Sequence, residues 1–450
     1  MSFEKRLNAA VPGGAHTYSR GSDQFPSNAP HVLARGRGAY VWDSDDRCYL
    51  DYGMGLRAVT LGYANPRVNA AAWKQMELGN NLTRPSLIEL EAAELLIGLI
   101  PAVEMVKFAK NGSNVTTAAT KIARSFTGRR YICVPRQQPF FSFDDWFIGT
   151  TQMTRGIPAA GSFTLNFDYG DISSLKALFE LHPGDIAGVM LEPATTQTPC
   201  SATCDTKLTA DSHCTRCPSS KENFLHLVEQ LCRKEGALFI LDEMITGFRW
   251  HIQGAAHYFG VNPDLVTFGK GMANGFSVGA IGGRREVMQV GSIDQPGVER
   301  TFLMSSTHGG EMSSLGAFVE TVAIYQELDA VRHMWEFGRK LRSGLESISR
   351  GLGLEQNFRV EGPDIGLNYI LVNDAGEASL PLRTLFAQEL LSGGVMMPWI
   401  SVSLAHGKTE LEQTLSAAES ALKVIGDALI DGVDKHLVGP AVKPVFRKYN

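Results

Sequence analysis

The chain has 450 residues, 44% of them hydrophobic and 20% charged, which is enough apolar content for a large core and enough length for two or three domains. A net charge of −5 excludes the basic surface that phosphate neutralisation demands, so neither a nucleic-acid binder nor a polybasic membrane protein is expected. No apolar stretch follows the basic residues of MSFEKRLNAAVPGG and no apolar run is long enough to span a bilayer, so the expected protein has no membrane association and resides in the cytoplasm.

In chain order, residues 1–60 are loop-rich, and GAYVWDSDDRCYLDY has the alternation and the DSDD turn of a hairpin. This is expected to be the N-terminal segment of a smaller domain. Over 61–310, helical patterns alternate with short apolar runs: RRYICV, IAGVMLE, ALFILDE, DLVTFGK and VGAIGG. Such alternation implies a large α/β domain with a mostly parallel sheet whose ligand site lies off the carboxyl ends of the strands. Residues 311–450, with helical patterns and the strand-like NYILVND, complete the smaller α+β domain, which thus draws on both chain ends.

Three polar features fall at expected strand ends. ALFILDEMITGFR runs an apolar strand straight into Asp242, and the next strand delivers Lys270 between glycines, about one strand–helix–strand unit later. Upstream, KNGSNVTTAATKIARSF opens with Asn-Gly-Ser and continues as a helical stripe, so Gly112 and Ser113 are expected at a helix N-terminus, where free amides and the helix dipole attract an anion. Each feature alone has an ordinary reading as a cap, a turn or a solvated lysine. Together, an amine for a Schiff base, a carboxylate for a ring nitrogen and a phosphate cradle describe a site for pyridoxal 5′-phosphate (PLP).

On VPGGAHTYSR, EMVKFAKNGSNVTTAATKIARSFTGR, IAGVMLEPA, LFILDEMITGFR, GVNPDLVTFGKGMANGFSVGAIGG and VSLAHGKTE, the chain resembles the fold-type I, class III PLP aminotransferases, and within them the glutamate-1-semialdehyde aminomutase branch. The resemblance implies Lys270 as the Schiff-base lysine and Asp242 as the partner that keeps the pyridine nitrogen protonated. It implies Met244 against one ring face, where valine is usual, and an aromatic of PFFSFDD, either Phe140 or Phe141, against the other. Thr307, in SSTHGG, matches the threonine that reaches the phosphate of the neighbouring subunit's cofactor, which implies a homodimer with shared active sites. Arg20 matches a substrate-carboxylate arginine, with a surface or gating-loop arginine as the alternative.

The implied reaction is an exchange between an amino donor and a carbonyl acceptor, with Lys270 as proton carrier. A lysine with the usual pKa of about 10.4 would be protonated and useless as a base, so its surroundings must correct that. Where aminomutases normally show YHGH, this chain has QPFFSFDDW; where they carry a longer stretch with a glutamate before SLAH, it has MMPWISVSLAH. The expectation is therefore intermolecular transfer onto an aldehyde or ketone of a small sugar-like or carboxylated metabolite, with an intramolecular 2,1-aminomutase as the alternative. A non-catalytic scaffold of the same fold is the alternative of another class, and the retained lysine, aspartate, cradle and threonine argue against it.

Of seven cysteines, four fall in the insertion at 198–220, where Cys200, Cys204, Cys214 and Cys217 read C-x3-C-x9-C-x2-C. Two short pairs separated by a turn suit a structural tetrahedral zinc, with His213 able to replace one cysteine and a reduced thiol cluster as the alternative.

Overall fold

The computed structural model describes residues 2–157, 163–200, 204, 207–211 and 223–449. Its strands in chain order are β1 (Leu33–Arg37), β2 (Tyr40–Asp43), β3 (Cys48–Asp51), β4 (Met105–Ala109), β5 (Tyr131–Pro135), β6 (Thr164–Phe167), β7 (Ile186–Leu191), β8 (Leu238–Glu243), β9 (Leu265–Phe268), β10 (Gly279–Gly283), β11 (Phe358–Glu361), β12 (Asn368–Leu371) and β13 (Val395–Met396). They divide between two compact units. One joins the chain up to Asn65 to Arg332–Arg447, and the other is Pro66–Val331.

In the first unit the DSDD turn forms as expected: the Asp43 carboxylate accepts the amides of Asp45 and Arg47, both at 2.9 Å, and reverses the chain between β2 and β3. The hairpin grows into a sheet of order β1-β2-β3-β13, with β13 parallel to β3. Beneath it the buried Asp51 carboxylate accepts the amides of Gly53 and Met54 and the Tyr63 hydroxyl. His406 of SLAH is fully buried against Tyr52, ring centroids 4.5 Å apart. Its Nε2 lies 3.2 Å from the Asp51 carbonyl, an acceptor only, so the proton sits on Nε2 and Nδ1 accepts the Ser403 amide at 3.1 Å. The histidine of this motif is thus structural.

The second unit carries a seven-stranded sheet of order β4-β10-β9-β8-β7-β5-β6. It is parallel except for β10, which runs antiparallel to both its neighbours. Every residue of β7, β8 and β9 is buried, which explains their unbroken apolar runs. The boundary falls later than 310 because the helix Met312–Glu327 packs on the helix Pro66–Glu77. That approach is close: a side chain at Gly316 would stand 2.6 Å from Gln75 Cγ and 3.0 Å from the Ala71 carbonyl. Among the described residues no helix is long and apolar enough to cross a membrane.

Burial pushes the His406 imidazole down to about 4, with the bond to the Asp51 carbonyl opposing it. The unfolded chain therefore takes up a proton below its ordinary value of about 6.5 that the folded chain refuses, and stability falls as pH drops through that window. His406→Gln should be less stable than wild type near neutrality, and the gap should narrow between about pH 7 and about pH 5 in urea titrations. A gap independent of pH would show that the ring is not held neutral.

Candidate active site

The site is built where the buried strands β8 and β9 end side by side. Their register sets Asp242 opposite Thr267, and Asp242 Oδ1 accepts the Thr267 hydroxyl at 3.0 Å and the Met244 amide at 2.9 Å. Asp242 is 3% exposed, and burial drives its pKa upward while these donors and the nearby charge of Lys270 pull it down. Asp242 and Lys270, distant in sequence, are therefore brought within reach of each other's charge.

Lys270 opens the single turn Lys270–Ala273 after β9 and adopts φ 40, left-handed backbone that a lysine rarely takes. Its neighbours hold it there. The Met272 amide donates to the Gly269 carbonyl at 3.0 Å, and the buried Tyr325 hydroxyl donates to the Gly271 carbonyl at 2.8 Å. Tyr325 stacks on Phe248, interplanar angle 5°, and Phe248 packs on Phe268 of β9. Strain at the lysine is thus held by an aromatic stack from the helix Met312–Glu327.

The helix expected to open at Gly112 forms. The helix Gly112–Thr127 starts after Asn111, whose side chain accepts the Asn114 amide at 3.0 Å. Ser113 is 4% exposed and its hydroxyl accepts the Phe143 amide at 3.0 Å. Met244 joins the cradle to the lysine loop: a side chain at Gly112 would stand 3.0 Å from Met244 Sδ, and one at Gly269 only 2.6 Å from it. The thioether thus stands close against both glycines, most tightly against Gly269.

The segment after β5 is pinned over this helix. The Gln138 side chain exchanges two hydrogen bonds with the Glu192 backbone, at 3.0 and 2.8 Å, and the Thr116 hydroxyl donates to the Phe141 carbonyl at 2.9 Å. Phe141 is buried, edge-on to Phe147, whereas Phe140 is 47% exposed. Thr307 is exposed at the end of the same unit. Arg20 lies in the first unit, exposed, in the turn Tyr18–Arg20, where its charge acts on the Tyr63 hydroxyl. Cys200 and Cys204 are described and partly buried, while Cys214, Cys217 and His213 lie outside the described residues. Among the described residues no group of three or more potential ligands could hold a metal.

Sequence reasoning missed Thr267, Tyr325 and Glu243. Thr267 was within reach of it, since pairing two parallel apolar runs ending DE and TF sets Asp242 beside Thr267. Glu243 is fully buried, accepts the amides of Ala255 and Ala256 at 2.6 and 2.8 Å, and is pushed by burial up to about 7. Its task is to start the helix Gly254–Phe259 directly behind Asp242.

A buried carboxylate, a lysine within its field and a helix N-terminus meeting at parallel strand ends fit PLP, and define the chain as a PLP-dependent transferase of fold type I. Comparison agrees: the class-III aminotransferase family matches residues 19–162 and 217–397. The glutamate-1-semialdehyde 2,1-aminomutase of Alkaliphilus oremlandii is 30% identical over 436 residues, covering 93% of this chain and 96% of that one. The enzyme of that name from Acetivibrio thermocellus is 33% identical, covering 78% and 79% of the two chains. Among solved structures, the FumI protein of Sphingopyxis sp. MTA144, in a PLP form, is 26% identical with a TM-score of 0.80 and covers 95% of this chain and 96% of that one. An omega-transaminase from Sphaerobacter thermophilus shares the fold, with a TM-score of 0.79 at 24% identity over 94% and 97% of the chains. The chain belongs to the class-III aminotransferases.

Gly269→Ala should force the Met244 thioether out of place, lowering stability by about 1–3 kcal/mol and weakening PLP binding. The double variant with Met244→Val should recover both, read by thermal unfolding and by cofactor absorbance. Equal damage in the single and double variants would mean that the thioether is not what excludes a side chain at Gly269.

Proposed function

We propose that this enzyme transfers an amino group between molecules, from a small amino donor to the aldehyde or ketone carbon of a small polar metabolite, sugar-like or carboxylated, of the kind used in surface-polysaccharide or natural-product assembly. The observation that carries amino-transfer chemistry is the pairing of a dry carboxylate, Asp242, with the charge of Lys270 at adjacent strand ends. PLP, when bound, supplies a carbonyl carbon that takes up the donor's amine and a ring that accepts the electrons of the neighbouring C–H bond.

The chain's own residues do the rest. Asp242 holds the proton on the cofactor's ring nitrogen, because an adjacent anion favours the charged form. Lys270 would hold the cofactor through Nζ and, once released from it, would carry the proton taken from the substrate carbon. Gly112 and Ser113 offer helix N-terminal amides to the phosphate. Met244 packs on one ring face, and Phe140, which keeps an exposed face while Phe141 is buried, covers the other. Arg20 receives a substrate carboxylate.

Thr307 serves the phosphate of the partner subunit's cofactor, in a homodimer. A second copy would cover the exposed apolar side chains Trp73, Met76, Leu78, Leu82, Leu87 and Leu90. Structural zinc at Cys200, Cys204, Cys214 and Cys217 rests on their spacing, and elemental analysis should find about one zinc per chain.

Transfer between molecules is favoured by what replaces the aminomutase elements. A mutase retains one intermediate through two half-reactions, and neither YHGH nor the glutamate-bearing stretch before SLAH is present. The 2,1-aminomutase is the second reading, favoured by relatives of that name at 30% identity over 93% of the chain.

Lys270→Ala should abolish turnover, while Asp242→Asn should keep cofactor bound and slow the reaction by about a hundredfold or more. Borohydride reduction followed by peptide mapping should label Lys270, and a label elsewhere sinks the assignment. In a crossover experiment isotopic nitrogen should pass between different molecules. Strictly intramolecular migration would establish the mutase instead.

A further inference from the structure

Immediately before the cradle stands a lysine that the chemistry above does not use. Lys110 follows β4 and precedes Asn111, the cap of the cradle helix. Its Nζ donates to a Glu311 carboxylate oxygen and to the Ser314 hydroxyl, the latter at 3.1 Å. The pair is shielded, with side chains 21% and 26% exposed, so it is screened less than a surface ion pair. The Lys110 ammonium, foremost among several donors, holds the Glu311 carboxyl below its ordinary range.

Glu311 closes the segment that carries Thr307. Its amide donates to the His308 carbonyl at 3.2 Å, and its carboxylate also accepts the Asn80 side chain at 3.1 Å. Asn80 in turn accepts the amides of Met312 and Ser313 at 2.8 and 3.0 Å, and Asn81 donates to the Thr307 carbonyl at 3.1 Å. A side chain at Gly309 would stand 3.2 Å from the Phe108 carbonyl of β4, so the segment lies directly against the strand that delivers Lys110. One ion pair thus ties the cradle to the loop bearing Thr307.

We infer that Lys110 is a positioning residue for cofactor phosphate: it neutralises Glu311 and fixes the 307–311 loop, so that Thr307 meets the phosphate without an uncompensated carboxylate beside it. This rests on the proposed role of Thr307. The charge logic makes an ordering. Without Lys110, Glu311 is an unpaired anion in the loop that offers Thr307 to the partner subunit's phosphate, and its charge adds to the lost geometry. Without both, only the geometry is lost.

The test is titration of the full-length protein, freed of cofactor, with PLP and with pyridoxal, which lacks the phosphate. Lys110→Met should raise the Kd for PLP about tenfold, a loss of about 1.4 kcal/mol, and leave that for pyridoxal unchanged. Lys110→Arg should behave like wild type. Adding Glu311→Gln to Lys110→Met should restore part of the PLP affinity. A Lys110→Met variant that weakens both ligands equally, or neither, overturns the inference, the first because the residue would then serve stability alone. Thr307→Val separates the layers: if it weakens PLP while Lys110→Met does not, this inference alone fails. If it leaves PLP unmoved, the reading of Thr307 fails and takes the inference with it.

Discussion

A carboxylate held dry at the end of a fully buried strand is the constraint on which this protein turns. Asp242 is fixed by β8, and removal from water is the largest influence on it. Such a group stays ionised only where donors and a cation stand against it. The Thr267 hydroxyl comes from the register of β9, the Met244 amide from the bend of the chain itself, and the charge from Lys270 one strand over. A second buried acid, Glu243, is spent on starting the helix behind it, and burial pushes its pKa up to about 7 against the amides it accepts. Two adjacent acids thus have different environments. Both accept hydrogen bonds, but only Asp242 has a cation acting on it.

From that fixed point the packing propagates through Met244. Its thioether lies against both Gly112 and Gly269, so one side chain from the end of β8 packs on the start of the helix Gly112–Thr127 and on the lysine loop together. Where valine is usual, methionine reaches farther and fills an irregular gap, which places a stricter demand on both glycines. The left-handed backbone at Lys270 adds a strain of about 1–2 kcal/mol. Tyr325, stacked on Phe248 and bonded to the Gly271 carbonyl, is what the structure sets against it.

The central strands were legible in sequence because burial on both faces makes them continuous apolar runs, and Asp242, Lys270 and the Gly112 helix start were legible because they interrupt such runs. In the seven-stranded sheet, the two strands that periodicity did not reveal, β4 and β6, are its edges. An edge strand is only half covered, so MVKFA and TLNF mix polar with apolar residues and lose the signal. Contacts between distant segments left no local trace. Nothing in EMSSLGAF announces that Gly316 must admit the backbone at Ala71, and this pairing decides where the second unit ends. Lys110 and Glu311 escape for the same reason: each alone is an ordinary charged residue.

The departures from the aminomutase pattern fall in segments whose anchors are intact. QPFFSFDDW replaces the usual residues, yet Gln138 is bonded to the end of β7, Phe141 to Thr116 and Phe143 to Ser113. Further along, Thr117 binds both the Asp144 carboxylate and the Trp146 indole, so the helix Gly112–Thr127 also fixes this segment. None of these bonds uses the exposed Phe143 side chain, so that position can vary without moving Asp242, Met244 or Lys270. The chemistry is set by buried strand ends and the neighbouring segment is clamped beside them, so an exposed position such as Phe143 can differ from that of relatives while the strand ends stay in place.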